Sequence, residues 1–182
     1  KREHIQRAPI SLKLYDDLNI GVITLDVFLD DDSTVHLLED IFSKVLMSGA
    51  RHLIIDLREN PGGNSEFGDM LFAYLYSKPF TQFSKYSIKI SETFLEQRSV
   101  TAGLADSDEV PPAVGETRYY TCEEKQRFPS RGDGVFDGPV YVLIDANTAS
   151  SALSFSAMVR DYERGYLVGQ TPRAIALNLW FW

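Results

Sequence analysis

Two short apolar runs, Leu53-Ile54-Ile55-Asp56-Leu57 and Val140-Tyr141-Val142-Leu143-Ile144, constrain this chain more than any other feature. Both are rich in β-branched or aromatic residues and are bounded by turn formers, so both read as strands. The first is almost wholly apolar, which predicts a strand covered on both faces, as in parallel sheets. Each run empties into a loop of small and turn-forming residues. After the first comes Arg58-Glu59-Asn60-Pro61-Gly62-Gly63-Asn64. Phe67, Met70, Leu71, Tyr74 and Leu75 then mark an amphipathic helix over 65–77, stopped by Lys78-Pro79. After the second comes Asp145-Ala146-Asn147-Thr148-Ala149-Ser150 and a helix to about Tyr162.

The rest of the chain extends this alternation. Ile20–Phe28 is β-branched and reads as a strand. Asp30-Asp31-Asp32-Ser33 lacks the spacing and turn glycine of a calcium loop and reads as a solvated turn feeding a helix N-terminus. Val35, Leu38, Phe42, Val45 and Leu46 then predict a helix over 34–48, ended by Ser48-Gly49. Residues 83–90 alternate like a strand, 93–135 carry no strong period and read as a partly irregular excursion, and Leu167-Val168-Gly169 is a last short strand. Residues 1–13 read as a flank, or as the end of a preceding module, with the core spanning 14–182. Such alternation predicts an α/β fold. Ligands of such sheets bind beyond the carboxyl ends of the strands, where the loops 58–64 and 145–150 lie.

Composition narrows the partners. At 44% hydrophobic and 24% charged residues, the 182-residue chain supports one globular domain, or one and part of a second. A net charge of −8 disfavours nucleic acid and anionic membranes, so no nucleic-acid partner is expected. No apolar run approaches the ~20 residues of a membrane span, and membrane association is not indicated. Cys122 is alone, between Thr121 and Glu123, which leaves neither an internal disulfide nor a zinc cluster and disfavours a reactive thiolate. No cofactor or metal is expected. The opening Lys1-Arg2-Glu3-His4 shows no signal peptide and reads as a processed or cut chain.

The chemistry lies in the two loops. Ser150 falls at the start of a helix, where the positive end of the helix dipole favours a developing oxyanion. The Ser151 N–H has no intrahelical partner there. Small neighbours, Ala149, Ser151 and Ala152, let a substrate backbone approach. Thr148 and Ser150 equally suit a plain helix cap. Gly62-Gly63 exposes backbone N–H groups and permits positive φ, and reads also as an ordinary tight turn.

The stretch LIIDLRENPGGN at 53–64, followed by GDMLFAYLYSKPF, resembles the signature segment of tail-specific (C-terminal-processing) serine peptidases. VYVLIDANTASSALSFSAMVRDYERGYLVGQ at 140–170 is similar to the family's nucleophile segment, with Asp161-Tyr162 and Val168-Gly169 at the family's spacing from Ser150. IGVITLDVF at 20–28 resembles the strand that opens its core. The resemblance implies Ser150 as nucleophile and the N–H groups of Ser151 and of Gly62 or Gly63 as the oxyanion hole. It implies a crotonase-like (ClpP/crotonase) α/β core of stacked βαβ units, incomplete at one or both ends here, and a polypeptide substrate in an extracytoplasmic or secreted setting.

A serine nucleophile needs a base. The Ser–Lys branch of the family places a lysine where this chain has Ile175, and no lysine follows Lys125. The tricorn-like branch uses a histidine from upstream of the core and fits better, its base then lying before residue 1. Of the histidines present, His36 begins a helix near the active edge and is the candidate base. His52 lies about 16 Å from the glycine loop along its strand, and His4 lies in the flank. The alternative is a catalytically degenerate module that binds a peptide or lipid on the same fold.

Overall fold

The computed structural model describes residues 9–29, 31–101, 113–121 and 134–173. In chain order the elements are β1 (Ile10–Tyr15), β2 (Ile20–Leu25), α1 (Asp32–Met47), β3 (His52–Asp56), α2 (Ser65–Ala73), β4 (Lys85–Lys89), α3 (Glu92–Thr101), β5 (Thr117–Thr121), β6 (Val140–Ile144), α4 (Ser150–Asp161) and β7 (Tyr166–Gly169). They form two compact units, residues 1–82 with 127–182, and residues 83–126.

The first unit carries a five-stranded sheet in the order β1-β2-β3-β6-β7. β2, β3, β6 and β7 run parallel, and β1 pairs antiparallel at one edge. This is the mixed α/β architecture that the alternation predicts. The crossovers all step the same way across the sheet, so right-handed connections put α1, α2 and α4 on one face. Burial agrees: Leu53, Ile55, Val140 and Val142 are fully buried in one cluster with Leu38 and Phe42 of α1, Phe67 of α2 and Phe155 of α4. Ile54, Tyr141 and Leu143 point the other way and are only half-buried. The expectation that strand 53–57 is covered on both faces is thereby corrected. Among the described residues one face carries the helices.

Several boundaries move for tertiary reasons. β2 ends at Leu25 rather than Phe28. Asp26 N–H donates to Pro9 O (2.9 Å), and Phe28 rejoins the fold as an isolated parallel bridge to Gly63. Residues 10–13, read as flank, are the first part of β1 and pair with Val22–Leu25. α1 begins at Asp32 because Asp31 caps it, its carboxylate accepting from Thr34 N–H (3.1 Å) and Thr34 Oγ1 (2.8 Å). α2 ends at Ala73, not at 77. The carbonyls of Tyr74 and Leu75 just beyond it accept from Phe136 N–H and from the Arg164 guanidinium, which turn the chain toward its distant partners.

In the second unit β4 and β5 pair antiparallel, with Tyr86 directly opposite Tyr120 and their rings stacked at 4.9 Å. α3 starts where Ser91 Oγ accepts from Phe94 N–H (3.0 Å). The stretch 93–135, read as irregular, therefore holds most of a helix and a strand. Phe94 and Leu95 are adjacent rather than spaced around one face, so no helical period shows there. β5 becomes visible only through its distant partner.

Candidate active site

β3 and β6 are adjacent and parallel, so the loops that leave their carboxyl ends lie side by side. Four residues that sequence reasoning gave no functional role bind these loops together. Thr148, fully buried, donates its hydroxyl to Leu57 O (2.9 Å) and accepts from Asp145 N–H (3.0 Å). The Asp145 carboxylate accepts from the N–H groups of Glu59 (3.1 Å), Asn147 (2.9 Å) and Thr148 (3.0 Å). Desolvation pushes its pKa up, but these donors outweigh it and hold the group below the usual carboxylate value. Asn147 Nδ2 closes the latch on Glu59 Oε1 (2.9 Å). Asn60, also fully buried, donates Nδ2 to Leu25 O (2.8 Å) and accepts on Oδ1 from Gly62 N–H (2.8 Å), while its carbonyl accepts from Ala149 N–H (3.0 Å). An Asn before Pro-Gly, and an Asp three residues before Thr, are turn signals that could have flagged these positions.

Ser150 opens α4 in an unusual conformation. Its φ is +51°, in the left-handed region that β-carbon-bearing residues avoid, at a cost of about 1–3 kcal/mol. Four described non-glycine residues have positive φ, and two of them, Glu59 and Ser150, lie in these two loops. The helix cap is Ala149, which has no side-chain cap, so neither Thr148 nor Ser150 serves as the plain N-cap. The Ser150 side chain is exposed, and its hydroxyl has no hydrogen-bond partner among the described residues. Ser150 is thus held on a sharp strand-to-helix turn with its side chain facing solvent.

The glycine loop meets this turn directly. A β-carbon on Gly62 would stand 2.6 Å from Ser150 Cβ and 2.8 Å from both Ala149 O and Ser151 N, so only glycine fits. Gly62 and Gly63 have φ of +101° and +133°. The two differ in hydrogen bonding, because the Gly62 N–H is committed to Asn60. The Gly62 carbonyl accepts from Phe28 N–H (2.8 Å). In a trans peptide the Gly63 N–H points opposite to that carbonyl, and it has no acceptor among the described residues. Ser151 N–H is likewise free, while its hydroxyl donates to Gly63 O (2.6 Å).

The other predicted residues lie elsewhere. His36 is on the first turns of α1 with its side chain 78% exposed, its Nδ1 3.4 Å from Glu39 Oε2. His52 begins β3, at the end opposite the loop, beside the Tyr141 ring. Asp161 pairs with Arg160 (2.7 Å). Tyr162 pins Thr81, accepting from its N–H (2.8 Å) and donating to its carbonyl (3.1 Å). His4, Cys122, Lys125 and Ile175 lie outside the described residues.

A mostly parallel α/β sheet with a strained, exposed serine packed against a glycine loop at the carboxyl ends of its central strands defines an α/β protein with its candidate site in those loops. Comparison of sequences narrows the class. The pattern of peptidase family S41 matches residues 19–175, and the chain belongs to that family. It is similar to a probable CtpA-like serine protease of Staphylococcus haemolyticus, 23% identical over 169 residues, which are 93% of this chain and 27% of that protein. Its fold is shared by the photosystem II D1 C-terminal processing protease (TM-score 0.52, 15% identity, 90% of this chain and 36% of that one). It is also shared by mature CPAF (TM-score 0.55, 18% identity, 82% and 37%). The chain thus spans about a quarter of the length of the curated relative and little more than a third of these solved chains.

Proposed function

We propose that this protein is the core of a serine endopeptidase in which Ser150 attacks the carbonyl carbon of a peptide bond. The hydroxyl proton passes to a base, the amine leaves, and water hydrolyses the acyl-enzyme. The N–H groups of Ser151 and Gly63 stabilise the tetrahedral oxyanion. Between the two glycines first considered, the engagement of Gly62 N–H by Asn60 favours Gly63 as the donor. The observation that carries the reading is the exposed Ser150 at φ +51° with a glycine packed so tightly against it that a β-carbon is excluded.

The base is proposed to be a histidine, as in the tricorn-like branch. Of the two described histidines, His36 follows the carboxyl end of β2 and so shares the edge that carries both loops, which favours it over His52. The sheet is read as a crotonase-like core, supported by βαβ units stacked with their helices on one face. A polypeptide substrate and an extracytoplasmic site of action complete the proposal.

A fluorophosphonate probe should label the full-length protein at Ser150, and Ser150→Ala should abolish both labelling and peptide cleavage. A full-length protein that resists the probe yet binds peptide or lipid overturns the peptidase reading in favour of a degenerate binding module.

A further inference from the structure

We propose that Asn60 is a positioning residue, whose buried carboxamide and main-chain carbonyl fix the oxyanion donors relative to Ser150; this rests on the serine reading above. Three backbone segments converge on it. Nδ2 holds Leu25 O at the end of β2, Oδ1 holds Gly62 N–H in the glycine loop, and the carbonyl holds Ala149 N–H, the residue before the nucleophile. The contacts are 2.8, 2.8 and 3.0 Å long, and the side chain is fully buried.

The need for such an anchor follows from the loop itself. Gly62 and Gly63 have no side chains to resist rotation, and both sit at positive φ, where glycine is free to move. The peptide joining them is held on one side only, by Phe28 N–H on the Gly62 carbonyl. The peptide before it is fixed by Asn60 Oδ1. With both planes held, the Gly63 N–H has one direction in which to point. The bond from Ala149 N–H to the Asn60 carbonyl places the nucleophile turn in the same frame, so both halves of the site are referred to one residue. Asparagine suits the position because it offers a donor and an acceptor on one short side chain. Aspartate lacks the donor and would set a charge against Leu25 O. Serine is too short to span both partners.

The test is the rate of phosphonylation of the full-length protein by a fluorophosphonate, separated into probe affinity and maximal rate, for wild type, Asn60→Asp and Asn60→Ser. The maximal rate should fall about 10- to 100-fold, the scale expected when reacting groups are misplaced by an ångström, with probe affinity nearly unchanged. Arg164→Leu, which abandons the carbonyls of Leu75, Phe136 and Gly138 away from both loops, should lower the melting temperature and leave the rate alone, so that lost stability is told apart from lost positioning. Folded Asn60 variants that react like wild type overturn the role given to Asn60 and leave the serine reading standing. A wild type that resists the probe overturns both. Should both Asn60 variants fail to fold, the crystal structure of the phosphonylated wild type decides. The phosphonyl oxygen should lie about 3 Å from the N–H groups of Gly63 and Ser151, with the Asn60 carboxamide still bridging Leu25 and Gly62. An oxygen bound instead to Asn60 Nδ2 or to Gly62 N–H overturns the proposal.

Discussion

Replacing Asp69 by asparagine should stabilise the protein at neutral pH and not in acid. Asp69 lies on α2 with 5% of its surface exposed, and its Oδ1 has no hydrogen-bond partner among the described residues. Burial, and then the charge of Glu66 one turn earlier, push its pKa from 3.8 up to about 6. A carboxyl whose folded pKa is raised disfavours folding wherever the unfolded chain has released the proton. The penalty is therefore nearly absent below about pH 4, grows between about 4 and 6, and is constant above. A shift of about two units corresponds to about 3 kcal/mol at full value. Screening by water near a helix that faces solvent on one side reduces this to about 1–2 kcal/mol. Asp69→Asn keeps the shape and removes the charge. Urea titrations at pH 7.5 should show the variant more stable by that amount, a rise of roughly 2–8 °C in melting temperature for a chain of this size. At pH 4 the gap should shrink toward zero. The other carboxylates titrate in both proteins and cancel in the difference. A gap of equal size at both pH values, or a variant less stable at pH 7.5, would refute the reasoning.

Three further outcomes follow from the site and its supports. Ser150→Gly should exceed Ser150→Ala in stability by about 1 kcal/mol in thermal melts, since only glycine relieves the left-handed φ. Thr148→Val leaves Leu57 O and Asp145 N–H without their shared partner, so it should cost about 1–3 kcal/mol in urea titrations and loosen both loops. Arg164→Leu abandons the carbonyls of Leu75, Phe136 (2.5 Å) and Gly138 (3.0 Å), and should lower stability by about 2–4 kcal/mol without altering the fluorophosphonate reactivity of the folded protein.

The strands at 53–57 and 140–144, their helices and the two loops between were legible because hydrophobic period and turn chemistry are local signals. Ser150, Ser151, Gly62 and Gly63 were named from those loops, and the structure brings all four together. Asn60, Asp145 and Thr148 were not given their roles, because their partners are distant in sequence. Thr148 meets Leu57 and Asn60 meets Leu25, contacts that no window of the chain contains. The early end of α2 and the existence of β5 went unread for the same reason.

Sequence alone determined the α/β alternation, the position of the serine at a helix start, and the glycine-rich loop that precedes the second helix. It could not decide how that serine is held. The left-handed φ of Ser150, the commitment of Gly62 N–H to Asn60 and the freedom of Gly63 N–H arise only when β3 and β6 pair and their loops share hydrogen bonds. Local preference sets which residues can turn. The direction in which a backbone N–H points is set by what its neighbours are bonded to, and those neighbours come from across the sheet.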